Sequence, residues 1–129
     1  MPWQEISIIE ARKQAPKAIT RAAKELPTLS ISGFDGSVRD KNDIYALNPE
    51  RVAVAMLFLS MACKPTRKPA YGSYGLKHCA ERWGKAVGLA PYIANGELIA
   101  AANHLGLQIR QRPTGPNADI GCKPLSGSN

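Results

Sequence analysis

Apolar residues recur at helical spacing in several stretches of this chain, and each stretch is bounded by recognisable stop and start signals. Ser7-Ile8-Ile9-Glu10 matches the capping box S-x-x-E and predicts a helix start. That helix runs on through Ile19, Ala22, Ala23 and Leu26 to a stop at Pro27. Pro16 lies inside it and is expected to kink or divide it, because the ring removes a donor and crowds the preceding turn. Asn48-Pro49-Glu50 predicts a second start, with Asn as cap, Pro in the first position and Glu at the positive end of the dipole. The helix that follows, to about Cys63, is apolar nearly all round, which predicts burial on most sides and a central position. A third helix is expected from a Ser73 cap to a Gly88 stop. Leu76, Cys79, Ala80, Trp83 and Val87 form its apolar stripe, and Lys77, His78, Glu81, Arg82 and Lys85 its polar side. A fourth is expected from an Asn95 cap, with Glu97 in the first turn and a stop at Gly106.

The period changes elsewhere. Residues 28–32 alternate and predict a short strand, with a return strand at 44–47 across a Gly- and Asp-rich loop. Leu107, Ile109 and Gln111 alternate, as do Ala118, Ile120 and Cys122 beyond "PTGPN". These predict a two-stranded ribbon. Residues 123–129 read as a frayed tail. The expected fold is therefore mainly α with a small β component (α+β), compact around a buried central helix and ending in a β-ribbon. Residues 1–129 form a single domain in this reading: an N-terminal helix and hairpin over 1–47, then a basic helical core and ribbon over 48–122. Three helices followed by a hairpin resemble a winged helix-turn-helix in outline. The connection from Val87 to Asn95 exceeds the usual short turn, and "NGELIAAANHLG" carries almost no positive charge for base readout.

Charge sharpens this picture. The formal net charge is +7, and its distribution is uneven. Residues 1–48 hold seven Lys/Arg against six Asp/Glu, whereas residues 49–129 hold ten against four. The excess points to an anionic partner for the second half. The apolar fraction of 44% is ordinary for a globular chain and argues against wholesale disorder. The longest apolar run, residues 52–63, is too short to span a bilayer, and no signal peptide is evident at the start. A cytoplasmic setting without membrane contact is the expectation.

The densest candidate chemistry is "CKPTRKPAYGSYGLKH", residues 63–78. Residues 64–85 hold Lys64, Arg67, Lys68, Lys77, Arg82 and Lys85 against Glu81 alone. Tyr71 and Tyr74 add stacking faces, and Arg110 and Arg112 would extend the surface from the ribbon. Basic groups interleaved with aromatics suit a phosphate backbone, with stacking where bases are unpaired. The competing reading is a solvated linker whose tyrosines fold back on the core.

Other chemistries have weaker signals. Cys63, His78, Cys79, His104 and Cys122 lack the C-x2-C or H-x3-H spacing of a structural metal site. His78 and Glu81 are an i, i+3 pair, but no nucleophile, P-loop or H-E-x-x-H accompanies them. No cofactor and no catalytic residue are expected.

The segments "GSYGLKHCAERW", "YIANGELIAAANHLGL" and "GPNADIG" resemble small uncharacterised proteins of bacterial mobile elements, over about residues 70–122. The resemblance implies a phage, plasmid or integrative element as the setting and carries over no residue roles. Two functions follow as expectations. The first is a non-enzymatic nucleic-acid-binding accessory protein contacting mainly phosphates of DNA or RNA. The second is an inhibitor or assembly factor that docks its basic face on an acidic protein surface, with Tyr71, Tyr74 and Trp3 as anchors.

Overall fold

The computed structural model describes residues 7–34, 44–89 and 92–125. The fold is mainly helical with small antiparallel sheets. Trp3, most of the Gly- and Asp-rich loop and the last four positions of the expected tail lie outside the described residues.

Helix α1 spans Ile8–Glu25, and the Ser7 hydroxyl accepts from the Glu10 amide at 3.1 Å as its cap. Pro16 does not divide the helix: α1 is continuous from Ile8 to Glu25. Pro16 lies on the exposed face, where the carbonyl deprived of its partner has access to water. The buried face of α1 is Ala11, Ala15, Ala18, Ile19 and Ala22. Such small side chains let helix axes approach closely.

Helix α2 (Pro49–Met61) is the centre of the molecule, as its all-round apolarity predicts. Every residue from Val52 to Ser60 is buried. Helix α1 packs on one side of it, with α3 (Ser73–Ala86) and α4 (Asn95–His104) on others. Asn48 caps α2 by accepting from the Arg51 amide at 3.1 Å. Helices α3 and α4 are followed by Gly88 and Gly106 at positive φ, at the expected stops. One core cluster runs from Ala11 to Cys122.

The hairpin near the N-terminus differs from expectation. Strand β1 (Leu29–Ser30) pairs with β2 (Gly33–Phe34), not with residues 44–47. Ile44–Ala46 form a single 3-10 turn instead, which buries Ile44. The start of α4 runs under this hairpin, and the Gly96 amide donates to Ile31 O at 2.9 Å. A methyl group at position 96 would run into the Ser30 carbonyl oxygen, so only glycine permits the approach.

The expected ribbon is present, as β5 (Ile109–Gln111) and β6 (Ala118–Ile120), but it does not stand alone. Strand β4 (Tyr71–Gly72) adds to the other edge of β6. Beyond Gly121 the chain continues as β7 (Cys122–Pro124) and pairs with β3 (Cys63–Pro65). Positions 123 and 124 are therefore strand rather than frayed tail, and Leu125 donates to Ala62 O at 2.8 Å. Local alternation could not show this, because the pairing joins residues about sixty positions apart.

Two glycine substitutions separate these constraints. Gly96→Ala should cost more than about 2 kcal/mol in urea denaturation, because backbone rather than a flexible side chain must move. Gly75→Ala, on α3 with open space around it, should instead add about 0.5 kcal/mol of stability.

Candidate nucleic-acid interface

The stretch 63–72 is not a loose linker. Its two ends pair antiparallel with residues 119–124. Cys63, Lys64 and Pro65 face Pro124, Lys123 and Cys122, and Tyr71 and Gly72 face Ile120 and Asp119. Between these two ladders residues 66–70 bulge outward. Thr66 donates its amide to Gly121 O at 2.9 Å, and Ala70 donates to Ile120 O at 3.2 Å. The ends of the bulge are thus pinned to consecutive residues at the junction of β6 and β7. Inside it the Thr66 hydroxyl donates to Lys68 O at 2.8 Å. Arg67 and Lys68 project from its tip, exposed.

Lys64 and Lys123 sit directly opposite one another on the β3–β7 ladder, and both are exposed. Like charges in that position are destabilising. Among the described residues no carboxylate lies within ion-pair distance of Lys64, Arg67, Lys68 or Lys123. Lys123 was missed by the sequence analysis because it falls in the segment taken for a tail. The opposite face of the same ladder carries Cys63 and Cys122, both buried.

The other expected phosphate contacts divide. Arg110 and Arg112 fork onto the single carboxylate of Asp119, with contacts of 2.9 Å and 2.7 Å. The Arg112 guanidinium passes close over Gly72, where an added methyl group would make it shift. The Arg112 and Arg110 hydrogen bonds hold the Asp119 carboxyl below the usual carboxylate range. Two guanidiniums and one carboxylate leave a single net charge there. Arg82 and Lys85 are exposed on α3, but about 14 Å or more along the helix from Ser73, so they do not join the ribbon. Tyr71 and Tyr74 are 40% and 53% exposed, at the end of the bulge and the start of α3, and are not folded back on the core.

Lys77 corrects the reading of α3 most. It was placed on the solvated side, yet it is only 8% exposed. Its ammonium lies 3.3 Å from Glu81 Oε2. It also lies 5.4 Å from the Tyr74 ring centre and 5.1 Å from that of Tyr92. Arg51 lies 4.9 Å from the Tyr92 ring centre, and the Tyr74 ring meets the His78 ring edge-on at 4.6 Å. Glu81 answers the Lys77 charge within the fold, so Lys77 is removed from the set of phosphate contacts. Val87, expected on the apolar stripe, is half exposed.

Two carboxylates organise this region. Glu81 accepts from the Ile93 amide at 2.9 Å through Oε2, and its Oε1 lies 3.0 Å from His78 Nδ1. Burial alone would push its carboxyl up, but the Ile93 amide, Lys77 and His78 together outweigh burial and hold it down. Glu97 is fully buried and accepts from the Ala94 amide at 2.8 Å and the Asn48 amide at 2.7 Å. Its carboxyl is pushed up by burial, against the pull of those amides and of Arg51.

The two expected caps work differently from prediction. Ser73 starts α3 but spends its hydroxyl on the Ala118 amide at 3.0 Å, tying the helix to β6. Asn95 starts α4, and its amide nitrogen donates to Ser32 O and Asn117 Oδ1, both at 3.0 Å. Glu97 does the capping of α4, by accepting from Ala94.

Helix α4 would be the recognition helix of a winged-helix arrangement. Every residue from Asn95 to Ala102 is buried, so this helix is closed to a DNA groove. Among the described residues no group of three or more His, Cys, Asp or Glu could hold a metal ion. His104 pairs with Gln14 Oε1 at 2.9 Å, and burial followed by Arg21 holds its pKa below 6.5. It is therefore not the cation favoured at a helix C-terminus. A hydrogen bond with Cys122, then burial, pushes the Cys63 thiol up, which makes it a poor thiolate ligand. No helix among the described residues is long and apolar enough to cross a membrane.

Comparison with family models, with curated proteins and with solved structures finds no match for this chain.

The depressed Glu81 pKa gives a pH test. Its contribution to stability is present above the ordinary value of 4.5 and is lost as pH falls through the lower folded value. The difference in urea midpoint between wild type and Glu81→Gln should therefore be largest near neutral pH and shrink as pH falls toward about 3.

Proposed function

We propose that this chain is a non-enzymatic nucleic-acid-binding protein that holds phosphates on the surface formed by β3, β7 and the pinned bulge between β3 and β4. The observation that carries this reading is the Lys64–Lys123 pair beside Arg67 and Lys68, four cations without a carboxylate partner among the described residues. Holding like charges opposite one another costs stability in the free protein, and an anion laid across them recovers it. A backbone ladder on both sides of the bulge keeps the cations in place before binding, which lowers the ordering cost.

The mode of binding follows from what is closed. The order α2, β3, β4, α3, α4, β5, β6, with β4 beside β6, supports a winged-helix-like arrangement of this half to which the β3–β7 pair is added. Groove reading by its third helix is nevertheless unavailable, because α4 is covered. Contacts to phosphate rather than to base-pair edges are the reading that remains, with Tyr71 exposed at the edge of the cationic surface. A mobile-element setting belongs to this proposal as its context.

One observation favours the second reading, a docked acidic protein. Met61 and Leu125 are 45% and 41% exposed where Leu125 meets the end of α2, close in sequence to Lys64 and Lys123. An apolar rim beside cations is the composition of a protein interface.

Fluorescence anisotropy with labelled DNA and RNA at ~50 and ~200 mM salt separates the two. Four phosphate contacts predict a loss of about 50-fold in affinity for single strands across that range. A Lys64→Ala/Lys123→Ala variant should bind more weakly and reduce the salt slope by roughly 1.4. Absence of binding at the lower salt would overturn the nucleic-acid reading and leave the protein-docking one.

A further inference from the structure

A half-open cavity that the cationic surface does not explain lies between the starts of α3 and α4, the β1–β2 turn and the loop before β6. It measures about 360 Å³ and is lined by Tyr74, Lys77, Tyr92, Asn95, Asn117 and Ser32 among others. Tyr92 is 51% exposed and Tyr74 53% exposed, while Lys77 between them in the cavity wall is buried. A half-exposed aromatic pair around a buried ammonium is an unusual use of three large side chains. The rings are held by cation contacts on Lys77 and Arg51, so their positions are set in the free protein.

The chemistry of the wall selects its occupant. The Lys77 charge is answered by Glu81 at 3.3 Å, and the Arg51 charge by Glu97 at 3.8 Å. No unmatched cation remains for a phosphate or a carboxylate. The Lys77 ammonium has three N–H groups and one carboxylate partner, so it still has donors to offer. Asn117 spends its oxygen on the Asn95 amide, which leaves its own NH2 group as a donor. Ser32 is exposed at the rim and adds a hydroxyl. Electrically balanced walls, aromatic faces and surplus donors suit a neutral planar group that carries carbonyl oxygens.

We infer that this cavity seats one unpaired keto-bearing nucleobase (thymine, uracil or guanine) against Tyr92 and Tyr74, with Lys77 and Asn117 donating to its carbonyl edge. The inference rests on the nucleic-acid reading above and makes the ligand single-stranded, because a paired base shows neither face nor edge to such a cavity. Tyr74 lies three residues beyond Tyr71, next in sequence to the stretch that carries Lys64, Arg67 and Lys68.

The test uses three labelled strands of ~12 nucleotides: all-thymine, all-adenine and fully abasic. The full chain should bind the thymine strand about 10-fold more tightly than the abasic strand, which has the same phosphates. The adenine strand, without a keto oxygen, should fall between them. Tyr92→Ala should erase the gap between thymine and abasic strands while leaving duplex binding unchanged, and Tyr92→Phe should keep it. Tyr74→Ala is the second variant, and thermal unfolding of each verifies that the fold persists. Equal binding of thymine and abasic strands by the wild type would overturn the base seat while the phosphate reading stands. Absence of binding to any strand would overturn both.

Discussion

Two carboxylates, one buried and one partly buried, take consecutive amides of one short loop. Glu81 on α3 accepts from Ile93, and Glu97 on α4 accepts from Ala94. Glu97 also accepts from Asn48 at the start of α2. The loop between α3 and α4 is therefore fixed from both sides, and the first turns of α2 and α4 share one acceptor. Removing a charge-bearing group from such a position leaves donors stranded in the interior, at a cost of several kcal/mol by the usual scale for buried pairs. Tyr92 stands immediately before these two amides, so its exposed ring is placed by interior chemistry. The arrangement of Lys77 and Arg51 around that ring depends on the same pair of carboxylates, which answer both cations.

The helices were legible because their information is local. Asn48-Pro49, Ser7 and the glycines at 88 and 106 act within one turn, and the all-apolar run of α2 reports its own burial. Pro16 shows the limit of a local rule, since an exposed helix face tolerates what a buried one would not. The pairing of residues 63–65 with 122–124 was not legible. Three-residue strands have too little alternation to declare themselves, and their partners are remote. Lys123 was lost with them, and with it the like-charge pair that gives the cationic surface its meaning.

Within the candidate site, residue type was a better guide than side-chain fate. Lys64, Arg67, Lys68, Tyr71 and Tyr74 are exposed as expected. Lys77 sits on a polar helix face and looks solvated on a helical wheel. It is buried because Tyr92, fifteen residues on, folds over it. Arg110 and Arg112 are exposed yet largely answered, because Asp119 faces them across the ribbon. The acidic residue was visible in the sequence, but its register was not. Asn95 and Ser73 carried the right letter for a cap and were spent on tertiary contacts instead.

The bulge at residues 66–70 has a consequence for how such a surface can change. Both of its ends are tied to neighbouring residues at the junction of β6 and β7, Ile120 and Gly121. Its length therefore does not enter the register of either flanking ladder. Residues added or removed at Arg67 and Lys68 would alter the reach and charge of the tip while Lys64 still faced Lys123 and Tyr71 still faced Ile120. The entropic cost of a longer excursion grows only with the logarithm of its length. The fold thus separates the part that must be kept from an exposed tip, and change at a few positions there leaves the core untouched.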